Sequence, residues 1–233
     1  MLFLLFVIIL NVFILGTKID KIILDDNIIS INKEITDEVA SNFIYELNKH
    51  VSKENIYLYL DTNGGSVIAG NRIIDEVQKY NLDCIAKTAV SMGFTILQAC
   101  NNRFITKYSI LMQHQMHYSV SNEKEKLENF VEFITQISKS LDMLQANKIG
   151  IEPKILKEKT LNEWWLFGEN ALTENCADKL VDIQCSSALT NKTYTEDLLG
   201  YTYTYSKCPL VTTYIHKKKS KDGNKYEDFV FLM

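Results

Sequence analysis

Ser91 lies in the run Ala89-Val90-Ser91-Met92-Gly93, between a β-rich segment (84–88) and a segment with helical spacing (91–100). The run is close to G-x-S-x-G, in which small neighbours leave a serine hydroxyl bare on a sharp strand-to-helix turn and the next backbone N–H faces a developing oxyanion. A serine there also makes an ordinary helix N-cap, so two readings compete for one residue. A nucleophilic serine needs a base, and histidine is the usual one near neutral pH. Of His50, His114, His117 and His216, His114 falls on an apolar run (109–116) that reads as a strand of the same sheet. His117, three residues on, faces the other side of an extended strand, so one of the two can point at Ser91. A second junction, Asn63-Gly64-Gly65-Ser66, follows the apolar run 56–60. Paired glycines turn the chain sharply and bare backbone N–H groups at a helix start, an oxyanion site; a tight turn without a ligand is the plain alternative.

Alternating elements carry these junctions. KIIL (21–24) and NIISI (27–31) are β-rich, and 36–51 reads as a helix capped by Thr36 with Val39, Phe43, Ile44 and Leu47 at helical spacing. The run 56–60 has the continuous apolar character of a strand buried on both faces. A helix with Val67, Ile73, Ile74 and Val77 on one stripe follows at 66–80, then strand 84–88, helix 91–100 and two strands at 103–106 and 109–116. Residues 122–149 form a long helix whose seam (Leu127, Phe130, Val131, Ile134, Ile137, Leu141, Leu144) serves core or subunit packing. A helical stretch follows Pro153, and 171–183 reads as helix, turn and strand. Strands separated by such helices make an α/β domain.

The 233 residues are 46% apolar and 23% charged, the balance of a globular chain that needs no staples to hold a core. A net charge of −4 gives no basic excess to neutralise a phosphate backbone, which excludes nucleic-acid binding as a first reading. The five cysteines (Cys84, Cys100, Cys176, Cys185, Cys208) are odd in number and contain no C-x-x-C; Cys176 and Cys185, nine apart, lack zinc-ligand spacing, and the set reads mostly as small buried residues, with a disulfide or metal role as the alternative. Residues 1–15 hold one polar side chain, Asn11. As a helix they cover about 22 Å, short of a bilayer core, and they read as a signal or anchor or else as a buried element or oligomer contact. The chain thus divides into an apolar segment (1–16), a folded domain (17–185) and a Tyr/Lys-rich appendage (186–233) with a hairpin in TYTY and a solvated run at 217–221. The sequon Asn191-Lys192-Thr193 has meaning only in a secretory compartment.

Three segments resemble, in order, the motifs of the ClpP serine peptidases. DTNGGSVIAG is similar to the N-S-P-G-G-x-x-x-A-G turn, AVSMG to the A-A-S-M-G nucleophile turn, and the strand ending His114-Gln115 to the M-I-H-Q strand. The spacings, 26 residues from Gly65 to Ser91 and 23 from Ser91 to His114, are close to the family's. ENALTENCADKLVDI is similar to the E-A-x-E-Y-G-L-I-D segment, so the likeness spans roughly 20–185. It implies a ClpP/crotonase-like α/β spiral of ββα units with a long protruding helix. It also implies Ser91 as nucleophile, His114 as general base and the amides of Gly65 and Met92 as the oxyanion hole, with no metal or cofactor. Counting back from Ala171 puts Glu163 where the family has its histidine-orienting aspartate, with Asn162 and Glu158 as alternatives. Trp164 and Trp165 beside it supply a dry wall for an ion pair, or simply core. Lys87 or Thr88 stands where the family has glycine, and His114-Gln115-Met116-His117-Tyr118-Ser119 replaces the His-Gln-Pro-x-Gly-Gly run that helps stack rings.

The expected function is that of a serine endopeptidase cleaving unfolded polypeptide through an acyl-enzyme. The resemblance implies a homo-oligomeric ring, an AAA+ unfoldase partner and a cytoplasmic location; a signal or anchor at 1–15 would make the protein secretory or membrane-associated. Three rivals stand beside it. A crotonase-like CoA-thioester enzyme uses paired backbone amides without a Ser–His pair. A membrane-anchored signal-peptide-peptidase type uses a Ser–Lys dyad, for which Lys87 is too near Ser91. A catalytically inactive structural subunit of a ClpP-type assembly would fit the missing aspartate. Substrate preference is expected to lie near 92–97 and 115–119.

Overall fold

Strand-to-helix alternation survives almost intact in the computed structural model, which describes residues 19–50 and 55–220. The order is β1 (Asp20–Leu24), β2 (Ile28–Ile31), α1 (Asp37–His50), β3 (Tyr57–Thr62), α2 (Val67–Lys79), β4 (Asp83–Val90), α3 (Met92–Ala99), β5 (Arg103–Gln113), α4 (Lys124–Ile149), α5 (Pro153–Thr160), β6 (Trp164–Phe167), α6 (Asn170–Thr173) and β7 (Lys179–Cys185). Then come α7 (Ser187–Asn191), β8 (Thr193–Leu198), β9 (Tyr201–Ser206) and β10 (His216–Lys219). The main sheet runs β1-β7-β5-β4-β3-β2, every neighbouring pair parallel, with β6 added antiparallel to β5. This is the expected α/β architecture, and α4 is its long protruding helix.

Two apolar layers cover the sheet. On the helix side, Phe43 and Leu47 of α1, Ile73 and Val77 of α2 and nearly all of α3 pack over Leu58, Leu60 and Ala86. On the opposite face Leu24, Tyr59 and Ile85 are covered by Leu189 and Cys208 from the C-terminal part of the chain. The antiparallel β8–β9–β10 sheet lies beyond that cover, and the TYTY alternation is strand β9.

Three expectations need correction. The two strands at 103–106 and 109–116 are one strand, β5, broken in register where Ile105 pairs with Ala86 and Ile110 with Thr88. The polar residues 106–109 that looked like a break are an excursion, closed by Ser109, whose hydroxyl donates to Ala86 O (2.6 Å). β5 ends at Gln113, so His114 lies just past the strand. The cysteines are not simply buried apolar residues: Cys84–Cys100 and Cys185–Cys208 are disulfides, each with Cα atoms 5.9 Å apart, which only the return of α3 and of the tail onto the sheet reveals. Cys176 is free and buried, its thiol pushed up to about 12 by burial. Of the long helix expected to serve core or subunit packing, this chain buries Gln145, Ala146 and Ile149, with Leu141 and Leu144 packed against its core. The expectations for residues 1–16 fall outside the described residues; among those described, no helix is long and apolar enough to cross a membrane.

Candidate active site

Three parallel strands end at one level, and their ends form the site. Thr62 of β3 pairs with Ala89 of β4, and Val90 of β4 pairs with Met112 of β5, so the chain leaves the sheet at Gly64-Gly65, Ser91 and His114 side by side. The Ser91 amide donates to Met112 O (2.8 Å), tying the turn to the histidine's strand.

Ser91 adopts φ 56°, ψ −118°, a left-handed backbone that costs a non-glycine residue on the order of 1–3 kcal/mol and persists only where the surroundings enforce it. Its side chain makes no N-cap hydrogen bond; the hydroxyl lies 2.8 Å from His114 Nε2. The capping reading is therefore displaced by a Ser–His pair at a strand-to-helix elbow. Gly64 makes the elbow possible: a Cβ there would stand 2.7 Å from Val90 O and 2.8 Å from Ser91 Cβ. Gly65, at φ 145°, leaves no room beside the Ile35 backbone. Its neighbours on both sides are fixed, since Ile35 N donates to Gly64 O and Ser66 N to Ile35 O, both at 2.8 Å. The Met92 amide is the first of α3, and the first four N–H groups of a helix have no intrahelical acceptor. Gly65, Ser91, Met92 and His114 line one cavity of about 240 Å³.

A buried glutamine holds the histidine's backbone. Gln113 Oε1 accepts from the His114 amide (3.0 Å), while its Nε2 donates to Thr95 Oγ1 (2.9 Å) and to Gln145 Oε1. Gln145 Nε2 in turn donates to Leu141 O (3.0 Å), so the network spans α3, β5 and α4.

Glu163 is not brought to the pair. It is exposed, has φ 61°, and its Oε2 accepts from the Trp165 indole (2.9 Å); no hydrogen bond among the described residues joins it to His114. Nor do Asn162 or Glu158 line the cavity. Trp164 is core, packed on Phe94, whereas Trp165 is exposed. His117 lines the cavity together with His114, against the expectation that the two face apart, because strand alternation stops at Gln113.

The Clp protease family model matches residues 16–184. The chain belongs to the Clp protease family. Among curated relatives, ATP-dependent Clp protease proteolytic subunit 1 of Borreliella burgdorferi is 29% identical over 168 residues, 68% of this chain and 86% of the relative. The proteolytic subunit 2 of Bifidobacterium longum is 25% identical over 167 residues, covering 68% and 81% respectively. At the family level the chain is a ClpP-like protease.

Sequence reasoning missed Gln113 and two residues of α4, Gln145 and Asp142. Gln113 sat in an apolar run and the others on a helix read by its apolar seam. The available signal was a polar residue at a register position that faces the core, which is costly unless it is paired. Asp142 lines the same cavity as Ser91, and burial raises its carboxyl pKa while Lys157 opposes that shift.

Proposed function

We propose that this Clp-family chain is a serine endopeptidase in which Ser91 is the nucleophile, His114 the general base and the amides of Gly65 and Met92 the oxyanion hole. One observation carries the reading: a serine hydroxyl 2.8 Å from an imidazole nitrogen on a left-handed elbow. Ser91 Oγ attacks the scissile carbonyl carbon as His114 Nε2 takes its proton. The carbonyl oxygen becomes an anion facing the two amides. His114 returns the proton to the leaving amine, the peptide C–N bond breaks and an acyl-enzyme remains. Water, deprotonated by the same imidazole, then hydrolyses the ester. The Ser–His pair favours peptidase chemistry over a crotonase-like thioester site, which would need the amides alone.

The relatives are named as proteolytic subunits of ATP-dependent proteases. We extend that to this chain as a homo-oligomeric ring around residues 17–185, supplied with unfolded polypeptide by an AAA+ unfoldase, with 186–233 as an added segment. The test is covalent: a fluorophosphonate should label the wild-type chain at Ser91 and leave Ser91→Ala unlabelled, with peptide turnover lost in the same variant. Labelling that persists in Ser91→Ala refutes the assignment. The position of Glu163 supports a second reading, a non-catalytic subunit that co-assembles with an active one. Turnover by the purified chain alone excludes it.

A further inference from the structure

The cavity that holds Ser91 and His114 is walled on its far side by α4, through Ser138, Leu141, Asp142 and Gln145. Their spacing places them on one face of the helix. Asp142 is the one carboxylate among the described residues lining this cavity, and its side chain is 22% exposed. Among the described residues nothing donates a hydrogen bond to that carboxylate. The cation nearest to it, Lys157 of α5, is 3.9 Å away and 58% exposed, and it lines the neighbouring cavity rather than this one. A largely buried carboxylate whose ion-pair partner is solvated and gives it no hydrogen bond is only partly compensated. The remaining groups that titrate on the cavity wall are His114 and His117; Lys139 lines only the adjacent cavity.

We propose that Asp142 makes this cavity a pocket for a basic side chain, lysine or arginine, on the acyl side of the scissile bond; the proposal rests on the peptidase reading of Ser91. Val67, Met92 and Leu141 give the pocket apolar flanks for an aliphatic stem, and the carboxylate meets the cation at its end. Gln145 is held in place by Gln113, so the wall beside Asp142 is rigid. A purely aliphatic side chain would fill the same volume but leave the carboxylate with the solvated Lys157 as its counter-charge. Discrimination therefore comes from the ammonium or guanidinium group and not from size.

The experiment uses the full chain and two fluorogenic peptides that differ only in carrying lysine or norleucine before the scissile bond. The lysine peptide should be cleaved with kcat/KM about tenfold higher, and the margin should shrink with added salt. Asp142→Asn, verified as folded by its melting curve, should bring the ratio to about one, and Asp142→Glu should restore most of it. In parallel, anisotropy with labelled peptides ending in lysine or norleucine should show the lysine peptide binding more tightly to Ser91→Ala. A wild-type ratio at or below one, a preference that survives Asp142→Asn, or equal binding by the two peptides overturns the pocket even where fluorophosphonate labels Ser91. Absence of both labelling and cleavage overturns the peptidase reading, and the proposal falls with it.

Discussion

Ser91 and Glu163 occupy similar places and have opposite fates. Each is a non-glycine residue in the left-handed region, at φ 56° and 61°, and each sits where a strand meets a turn. Ser91 follows directly on β4, a central strand bonded to β3 and β5, and opens a helix that is buried along nearly its whole length. Glu163 precedes β6, four residues long and paired only with β5. The first side chain is held inward against His114; the second lies out on Trp165. Period-two alternation explains the second case. Trp164 and Leu166 face the core, so Glu163 and Trp165 share the outer face two residues apart, and the carboxylate reaches the indole. Strained backbone alone does not make a catalytic residue. What differs is the number of neighbours that fix the direction of the side chain.

The largest expected effect lies within the Ser91 half of this comparison. His114→Ala should lower peptide turnover by roughly 10⁴-fold or more, about as much as Ser91→Ala, and the double variant should be little worse than either, because the two act as one unit. Additive losses would show that they do not.

Next is the anchoring of the histidine's strand. Arg103, 2% exposed at the start of β5, donates to Asp178 through Nε (3.1 Å) and Nη2 (2.5 Å), and to Gln98 Oε1 and Asn175 O through Nη1. Arg103→Met should cost about 3 kcal/mol in urea unfolding, the lower end for a broken buried pair since Asp178 is one-third exposed. Burial alone would raise the Asp178 pKa, but its hydrogen bonds to Arg103 outweigh that and hold it below the usual carboxylate range. Its share of stability is complete above the unfolded carboxyl pKa, about 4, and disappears as pH falls through the lower folded value. The wild type should lose that share on acidification, whereas Arg103→Met should lose less there. Parallel acid curves for the two proteins would refute the pairing.

How much of this was legible depended on whether the information was local. The Gly64-Gly65 turn and the Ser91 elbow are statements about backbone conformation over a few residues, and the glycines, small flanks and apolar strands that encode them stand next to one another. His114 was found through spacing, since strand, helix and strand of ordinary length bring the next strand end beside Ser91. Gln113, Gln145 and Asp142 were not found. Their meaning depends on α4 crossing over the strand ends, which no local pattern states. The disulfides were hidden for the same reason, 16 and 23 residues separating partners that meet only after the chain folds back. Glu163 shows the limit of counting along a motif: the count names a position, but the direction its carboxylate takes, onto the Trp165 indole, depends on which face of β6 it shares.

The Cys84–Cys100 disulfide joins the start of β4 to the end of α3 and so closes the unit whose middle is Ser91. Among the described residues no disulfide braces the turn at Glu163. Replacing both cysteines with alanine should lower stability by about 2–3 kcal/mol for a loop of this length. It should also reduce fluorophosphonate labelling per folded molecule. An unfolding midpoint that is the same in wild type and double variant, each without reductant, would mean that the two thiols are not cross-linked.

The smallest effect is expected at Glu163, and it divides the two halves of the comparison most cleanly. Glu163→Gln keeps the length of the side chain and an acceptor oxygen for the Trp165 indole, removing only the charge. If the carboxylate serves Trp165, kcat/KM should change by less than about threefold, because loss of charge at an exposed hydrogen bond costs little. A carboxylate that orients a catalytic imidazole behaves differently: its amide replacement leaves geometry intact but favours the wrong tautomer, at a cost on the order of 10⁴-fold. The two outcomes lie about three orders of magnitude apart, so one pair of turnover curves decides whether Glu163 stays on the outer face of β6 or turns to His114 when the protease works.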